Sequence, residues 1–132
     1  MFTLGVSDHV MIAHSIADPT FGPAQRLHGA TYCIDVQIRA PQLNRHNVVM
    51  NIGLLRVTLR TILDQFDYFN LDEHPAFAGM ISTTERVAEH VANRIAEQIG
   101  QLETDQQPAP GGTVNVILKE SPVAYAGYER HL

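Results

Sequence analysis

Hydrophobic and polar positions alternate through residues 2–14. Phe2, Leu4, Val6, Val10, Ile12 and His14 share one parity, while Thr3, Ser7 and His9 share the other. A period of two with one apolar face predicts a half-buried strand, because successive side chains point to opposite faces. Residues 28–39 repeat the pattern, with His28, Ala30, Tyr32, Ile34, Val36 and Ile38 set against Thr31, Cys33, Asp35, Gln37 and Arg39. Between the two segments, Asp18-Pro19 and Gly22-Pro23 mark a loop. Antiparallel pairing of these strands would bring His14 and His28 to the same end.

Pro41 stops the second strand, and the period then changes. From Asn51, a favourable N-cap residue, Ile52, Leu55, Leu59, Ile62, Leu63 and Phe66 follow helical spacing. A second helix is predicted to start at Ser82-Thr83-Thr84-Glu85, which has the form of a capping box. Its apolar stripe is Val87, Val91, Ile95 and Ile99, flanked by Ala88, Ala92 and Ala96, and Gly100 is its expected stop. Residues 101–112 read as a polar connector rich in proline and glycine. Val114, Val116, Leu118 and Glu120 then alternate with Thr113, Asn115, Ile117 and Lys119 as a third strand. Pro122 ends it, and Val123 to Tyr128 suggest a fourth. This order predicts an α+β fold, a four-stranded antiparallel sheet with two helices on one face. Open sheet edges tend to be protected or paired with another chain, so a homo-oligomer joined through strand edges is expected.

Composition narrows the setting. A chain of 132 residues with 45% hydrophobic content fits one domain with a real core, spanning 1–132. No apolar run approaches the ~20 residues of a membrane span, and no signal-peptide pattern is visible. The single cysteine, Cys33, has no partner for an internal disulfide, which points to a reducing, cytoplasmic setting. The formal net charge is -5 and the 9 Lys and Arg are scattered. Nucleic-acid binding needs a concentrated basic footprint, so a small molecule or a protein is the expected partner. The 7 histidines raise the question of a metal.

His14 and His28 are the first candidates, each on the apolar parity near a strand end. A catalytic zinc usually has three protein ligands and an open position, and a strand supplies ligands at i and i+2 on one face. That pattern would put the third ligand at Ala30, which has no donor atom. By spacing alone, two partly buried, hydrogen-bonded histidines explain the pattern better than a metal. Glu120 continues an apolar parity to a strand end, where a carboxylate must be paired, face a cavity or fray into solvent. Facing a cavity, it would anchor a heterocycle rich in N–H groups. Asp67 and Tyr68 follow the first helix. An aspartate beside a histidine orients the imidazole, but the neighbour here is a phenol with an ordinary pKa of ~10, and Asp67 alone reads as a helix-end turn residue. Cys33 has the parity opposite to His28 and reads as a small buried or edge residue. The capping box accounts for Glu85. His9 shares the parity opposite to His14, and His46, His74, His90 and His131 follow no pattern.

Six segments, in order, resemble the 6-pyruvoyl-tetrahydropterin synthase family, which includes the bacterial 6-carboxy-tetrahydropterin synthases of queuosine biosynthesis. They are Ala13-His14, Leu27-His28-Gly29-Ala30, Val49-Met50-Asn51-Ile52, Asp67-Tyr68-Phe69-Asn70-Leu71-Asp72, Ser82-Thr83-Thr84-Glu85-Arg86-Val87-Ala88 and Lys119-Glu120-Ser121. The segment around His28 resembles the family's His-Gly-His motif without its last histidine. The segment from Asp67 to Asp72 resembles Asp-His-x-Asn-Leu-Asp without its histidine. The resemblance covers nearly the whole chain. It implies the T-fold, or tunnelling fold, with two helices between strands two and three and subunits joined into a barrel, commonly a hexamer.

The resemblance also implies roles. His14 and His28 would ligate zinc, Glu120 would hold the pterin ring with Thr83 and Thr84 nearby, and Asp67 would survive from a catalytic pair. Family members act on dihydroneopterin triphosphate by zinc-assisted proton transfers. Three positions depart from the pattern: Ala30, Tyr68, and the lack of a cysteine between His14 and His28. Losing a general acid or base commonly costs ~10²–10⁴ in rate. The pterin-holding residue is kept while reaction residues are replaced. The expectation is therefore a divergent, pterin-binding member of this family, acting as a lyase on dihydroneopterin triphosphate or a related pterin with Tyr68 as acid. The alternatives are a non-catalytic pterin- or purine-binding module and a structural oligomer with a degenerate metal site.

Overall fold

The two alternating segments form long strands, β1 (Phe2–His14) and β2 (His28–Ala40). They pair antiparallel over their full length, from Phe2 opposite Ala40 to His14 opposite His28, in a computed structural model describing residues 1–132. Val10, Ile12, Tyr32, Ile34, Val36 and Ile38 are buried, all on the apolar parity. Two helices cover that face. In α1 (Ile52–Asp64) the Asn51 side chain accepts the Leu54 N–H, satisfying one of the unpaired donors of the first turn. Leu55, Leu59, Ile62 and Leu63 of α1 join Val87, Val91, Ile95 and Ile99 of α2 (Thr84–Gly100) in one core with the strands.

The sheet departs from the four antiparallel strands expected. It has five, because a two-residue strand, β3 (Phe69–Asn70), lies parallel to β1. The segment after α1 is latched to the β1 edge. The Tyr68 N–H donates to the Met11 carbonyl, and Asp67 Oδ1 accepts the Met11 N–H. β4 (Thr113–Ser121) pairs with β2, and β5 (Ala124–His131) pairs with β4 across a tight turn at Pro122-Val123. The order across the sheet is β3-β1-β2-β4-β5, parallel only at the β3 edge. None of the helices is long and apolar enough to cross a membrane.

Three local expectations are corrected. The N-cap of α2 is Thr83, whose hydroxyl accepts the Arg86 N–H, so the capping box beginning at Ser82 does not form. Gly100 is the last helical residue, and the right-handed Gln101 caps the helix. Cys33 is exposed, on the sheet face that carries no helices. There it is flanked by His9 on β1 and Lys119 on β4. On the same face Asp35 accepts from the Ser7 hydroxyl and the Lys119 ammonium, and those two donors hold its carboxyl below the usual range.

Candidate functional site

The closed end of the β1–β2 ladder and the start of α2 meet at one place. His14 and His28 are direct partners, with ring centroids 4.6 Å apart and the rings nearly edge-on. His14 Nδ1 is 3.0 Å from the Ser82 carbonyl and 3.2 Å from its hydroxyl. His28 Nδ1 is 2.7 Å from the Arg26 carbonyl. A carbonyl only accepts, so both rings carry a proton on Nδ1, and in a neutral ring of that tautomer Nε2 is the lone pair. Neither Nε2 makes a hydrogen bond within the chain. Burial, then the facing His28, pushes the His14 imidazole below its ordinary value; the Ser82 carbonyl, Asp72 and Glu120 pull the other way. Asp72 is fixed by accepting from the Ser15 N–H and hydroxyl.

Glu120 stands one step beyond the last β2–β4 pair, Cys33 and Lys119, and is exposed. Its Oε2 accepts from the Thr84 hydroxyl at 3.0 Å. The first turn of α2 thereby ties the end of β4 to the end of the histidine ladder. Tyr32, on β2 between these groups, is fully buried with its ring edge-on to His14 at 6.2 Å. Its hydroxyl has no hydrogen-bond partner. Burial, then the Glu120 carboxylate, push the phenol up, and the nearby Thr84 hydroxyl, though outside hydrogen-bonding geometry, acts against them. A groove of about 320 Å³ runs alongside, lined by Ser15, Leu71, Asp72, Phe77, Met80 and Ser82. A cavity of about 750 Å³ lies at the far end of β1 against Phe2, Leu4 and Val49, away from these groups.

The structure brings together His14, His28, Thr84 and Glu120. The Thr83 hydroxyl is occupied as the helix cap. Asp67 and Tyr68 lie at the β1–β3 edge, and no hydrogen bond connects them to the other four. Asp67 Oδ2 accepts from Arg60 at 3.0 Å while Oδ1 takes the Met11 N–H, so both oxygens are committed. Arg60 also pairs with Asp8, tying α1 to β1, and with Asp64 one turn along its own helix. Tyr68 is 81% exposed and sits at φ 61°, a left-handed conformation that bulky residues rarely adopt.

A zinc site does not fit the donor set within one chain. Only two imidazoles converge, Ala30 occupies the third position on that face, and no three His, Cys, Asp or Glu side chains are placed to hold a metal. Sequence reasoning misses three contributors. Ser82 resembles part of a helix cap, Tyr32 resembles any aromatic on an apolar face, and Asp72 falls in a motif valued for Asp67. The parity shared by Tyr32 and Glu120 is the signal that could have found Tyr32.

The family model described as 6-pyruvoyl tetrahydropterin synthase matches residues 3–131. The 6-carboxy-5,6,7,8-tetrahydropterin synthase of Bacillus subtilis is 25% identical over 131 residues, which cover 96% of this chain and 84% of that protein. The 6-pyruvoyl tetrahydrobiopterin synthase of Drosophila melanogaster is 33% identical over 78 residues, covering 58% of this chain and 46% of its own. Among solved structures, 6-pyruvoyl tetrahydropterin synthase of Caenorhabditis elegans superposes with a TM-score of 0.79 at 21% identity, over 98% of this chain and 95% of the other. The Plasmodium vivax enzyme gives 0.78 at 19%, over 99% and 98%.

Proposed function

The chain belongs to the 6-pyruvoyl tetrahydropterin synthase family, and from that premise we propose that it binds a pterin-type heterocycle through Glu120. The observation that carries this reading is the Thr84–Glu120 hydrogen bond, made from the same start of α2 whose neighbour Ser82 holds His14. An ionised carboxylate accepts two parallel N–H bonds from a pterin's amino group and adjacent ring nitrogen. Because Thr84 occupies one lone pair of Oε2, the carboxylate plane is set before ligand arrives.

The paired imidazoles give the site its chemistry. When neutral, a ring of this tautomer presents an Nε2 lone pair able to take a proton from a ligand's side chain, and each Nδ1–H is anchored on a carbonyl that steadies the resulting cation. His28 is the more exposed of the two and is assigned the proton-accepting role. A lyase reaction on dihydroneopterin triphosphate or a related pterin is the family-based expectation. The commitment of both Asp67 oxygens to Arg60 and Met11 favours a second reading, a module that binds a pterin without the family's usual proton transfers. Both readings share the Glu120 pocket. The open outer side of β5, with Tyr125 72% exposed, supports edge-paired homo-oligomers, a hexamer by family resemblance.

Calorimetry with a reduced pterin tests the shared part. Glu120→Ala should abolish measurable binding while size-exclusion behaviour stays unchanged, since the residue is exposed. Unchanged affinity would sink the reading. Release of triphosphate from dihydroneopterin triphosphate, abolished by His28→Gln, would decide for the lyase.

A further inference from the structure

Only two buried side-chain polar atoms in the chain lack a hydrogen-bond partner, Tyr32 Oη and Thr113 Oγ1. Thr113 opens β4, at the end of that strand remote from Glu120. Tyr32 lies on the parity of Glu120, at the next rung after the Cys33–Lys119 pair. A buried hydroxyl without a partner is destabilising, and a phenylalanine would fill the same apolar space without that penalty. The hydroxyl therefore asks for an explanation in the site beside it. The Thr84 hydroxyl, whose proton is given to Glu120 Oε2 at 3.0 Å, has an oxygen lone pair left to accept.

We propose that Tyr32 is a positioning residue of the pterin site: on ligand binding its hydroxyl donates to Thr84 Oγ1, which donates to Glu120, and this chain fixes the carboxylate plane. The inference rests on Glu120 as the pterin anchor. In the ligand-free chain the Tyr32 hydroxyl makes no hydrogen bond, although Thr84 is close enough to act on the phenol, and ligand binding draws the two hydroxyls together. Each donor polarises the next, so the chain holds the carboxylate more firmly than Thr84 alone. The phenol stays protonated throughout; burial and the nearby carboxylate both favour the neutral form.

The test compares pterin with lumazine, which has an oxo group where pterin has its amino donor. Wild type should prefer pterin, because two N–H donors meet the carboxylate. Tyr32→Phe should weaken pterin binding about 5–10-fold, narrow the preference over lumazine, and leave the Tm of the free protein unchanged or higher. Thr84→Val should act in the same direction, and the double variant should be no worse than the weaker single one. The inference is overturned if Tyr32→Phe binds pterin as tightly as wild type, loses both ligands equally, or adds fully to Thr84→Val. Glu120→Gln separates the two levels. If it binds pterin like wild type, or wild type binds none, the anchor reading fails and takes this inference with it. If Glu120→Gln is weakened and Tyr32→Phe is not, this inference fails alone.

Discussion

His14 and His28 face each other across the β1–β2 ladder and commit the same ring nitrogen, Nδ1, to a backbone carbonyl. Two strand-end imidazoles of one tautomer, 4.6 Å apart between ring centres, form two-thirds of a three-histidine face. Position 30 lies two residues from His28 on the same side of β2, which makes the incomplete set testable.

Ala30→His should complete that face. Zinc takes three imidazole nitrogens readily, and the carbonyl anchors already aim two rings. Elemental analysis of tag-free protein should find near-stoichiometric zinc in the variant and clearly less in wild type. Equal zinc in both would mean that the Nε2 atoms do not converge with position 30.

Asp67 is expected to stabilise the fold rather than bind ligand. It is 20% exposed, ion-paired with Arg60 and bonded to the β1 backbone. Asp67→Ala leaves the Met11 N–H without its partner and frees the β3 segment, which should cost about 1–3 kcal/mol. For a chain of this length that lowers Tm by roughly 3–5 °C per kcal/mol. Pterin affinity should change by less than about 2-fold, as no hydrogen bond joins Asp67 to the site. A large loss of affinity at unchanged Tm would put Asp67 back in the binding machinery.

Tyr68 holds a left-handed backbone at φ 61° with its ring in solvent. A non-glycine residue is strained there, by roughly 1–2 kcal/mol, and asparagine tolerates the region best. Tyr68→Asn should therefore raise stability by up to about 1 kcal/mol, while the β-branched Tyr68→Val should lower it. Thermal unfolding of the two variants gives the order. A stable Val variant would mean that the segment can leave this conformation freely.

How much of this was legible depends on how far each feature reaches along the chain. β1 and β2 each repeat a two-residue period for 13 residues, so Val6, Val10, Ile34 and Val36 announce their buried face. Asn51 reveals the start of α1 because its cap bond is three residues long. The two residues of β3 are too few to show a period, and they are held by Asp67 reaching Met11, 56 positions away. Ser82 illustrates the same limit. Its sequence neighbours suggest a capping box, but its hydroxyl and carbonyl serve His14, 68 positions distant. The meeting of His14 with His28 was readable because strand pairing is nearly local. The link from Thr84 to Glu120 joins a helix start to a strand end, and only the packed fold supplies it.

His90 should make the protein sensitive to acid. It lies on α2 with its ring 5.2 Å from Phe77 and 6.1 Å from Phe66. Burial is the main cause that lowers its pKa, followed by Arg94 and His74, while Glu97 opposes them. His74, facing it from the 71–77 segment, donates from Nε2 to the Gln65 carbonyl and accepts the Ala76 N–H at Nδ1. In the unfolded chain His90 titrates near its ordinary value of 6.5. As pH falls through that value the unfolded state takes up a proton that the folded state refuses, so stability declines until the lower folded pKa is reached. Above about pH 7.5 both states are neutral and the effect vanishes. Tm measured from about pH 8 down to pH 5 should fall in wild type and fall less in His90→Leu, which keeps the apolar contacts with Phe66 and Phe77. His14 is lowered in the same sense, so part of the slope should remain in the variant. Identical slopes for the two proteins would show that the pocket around Phe77 opens to admit the charged ring.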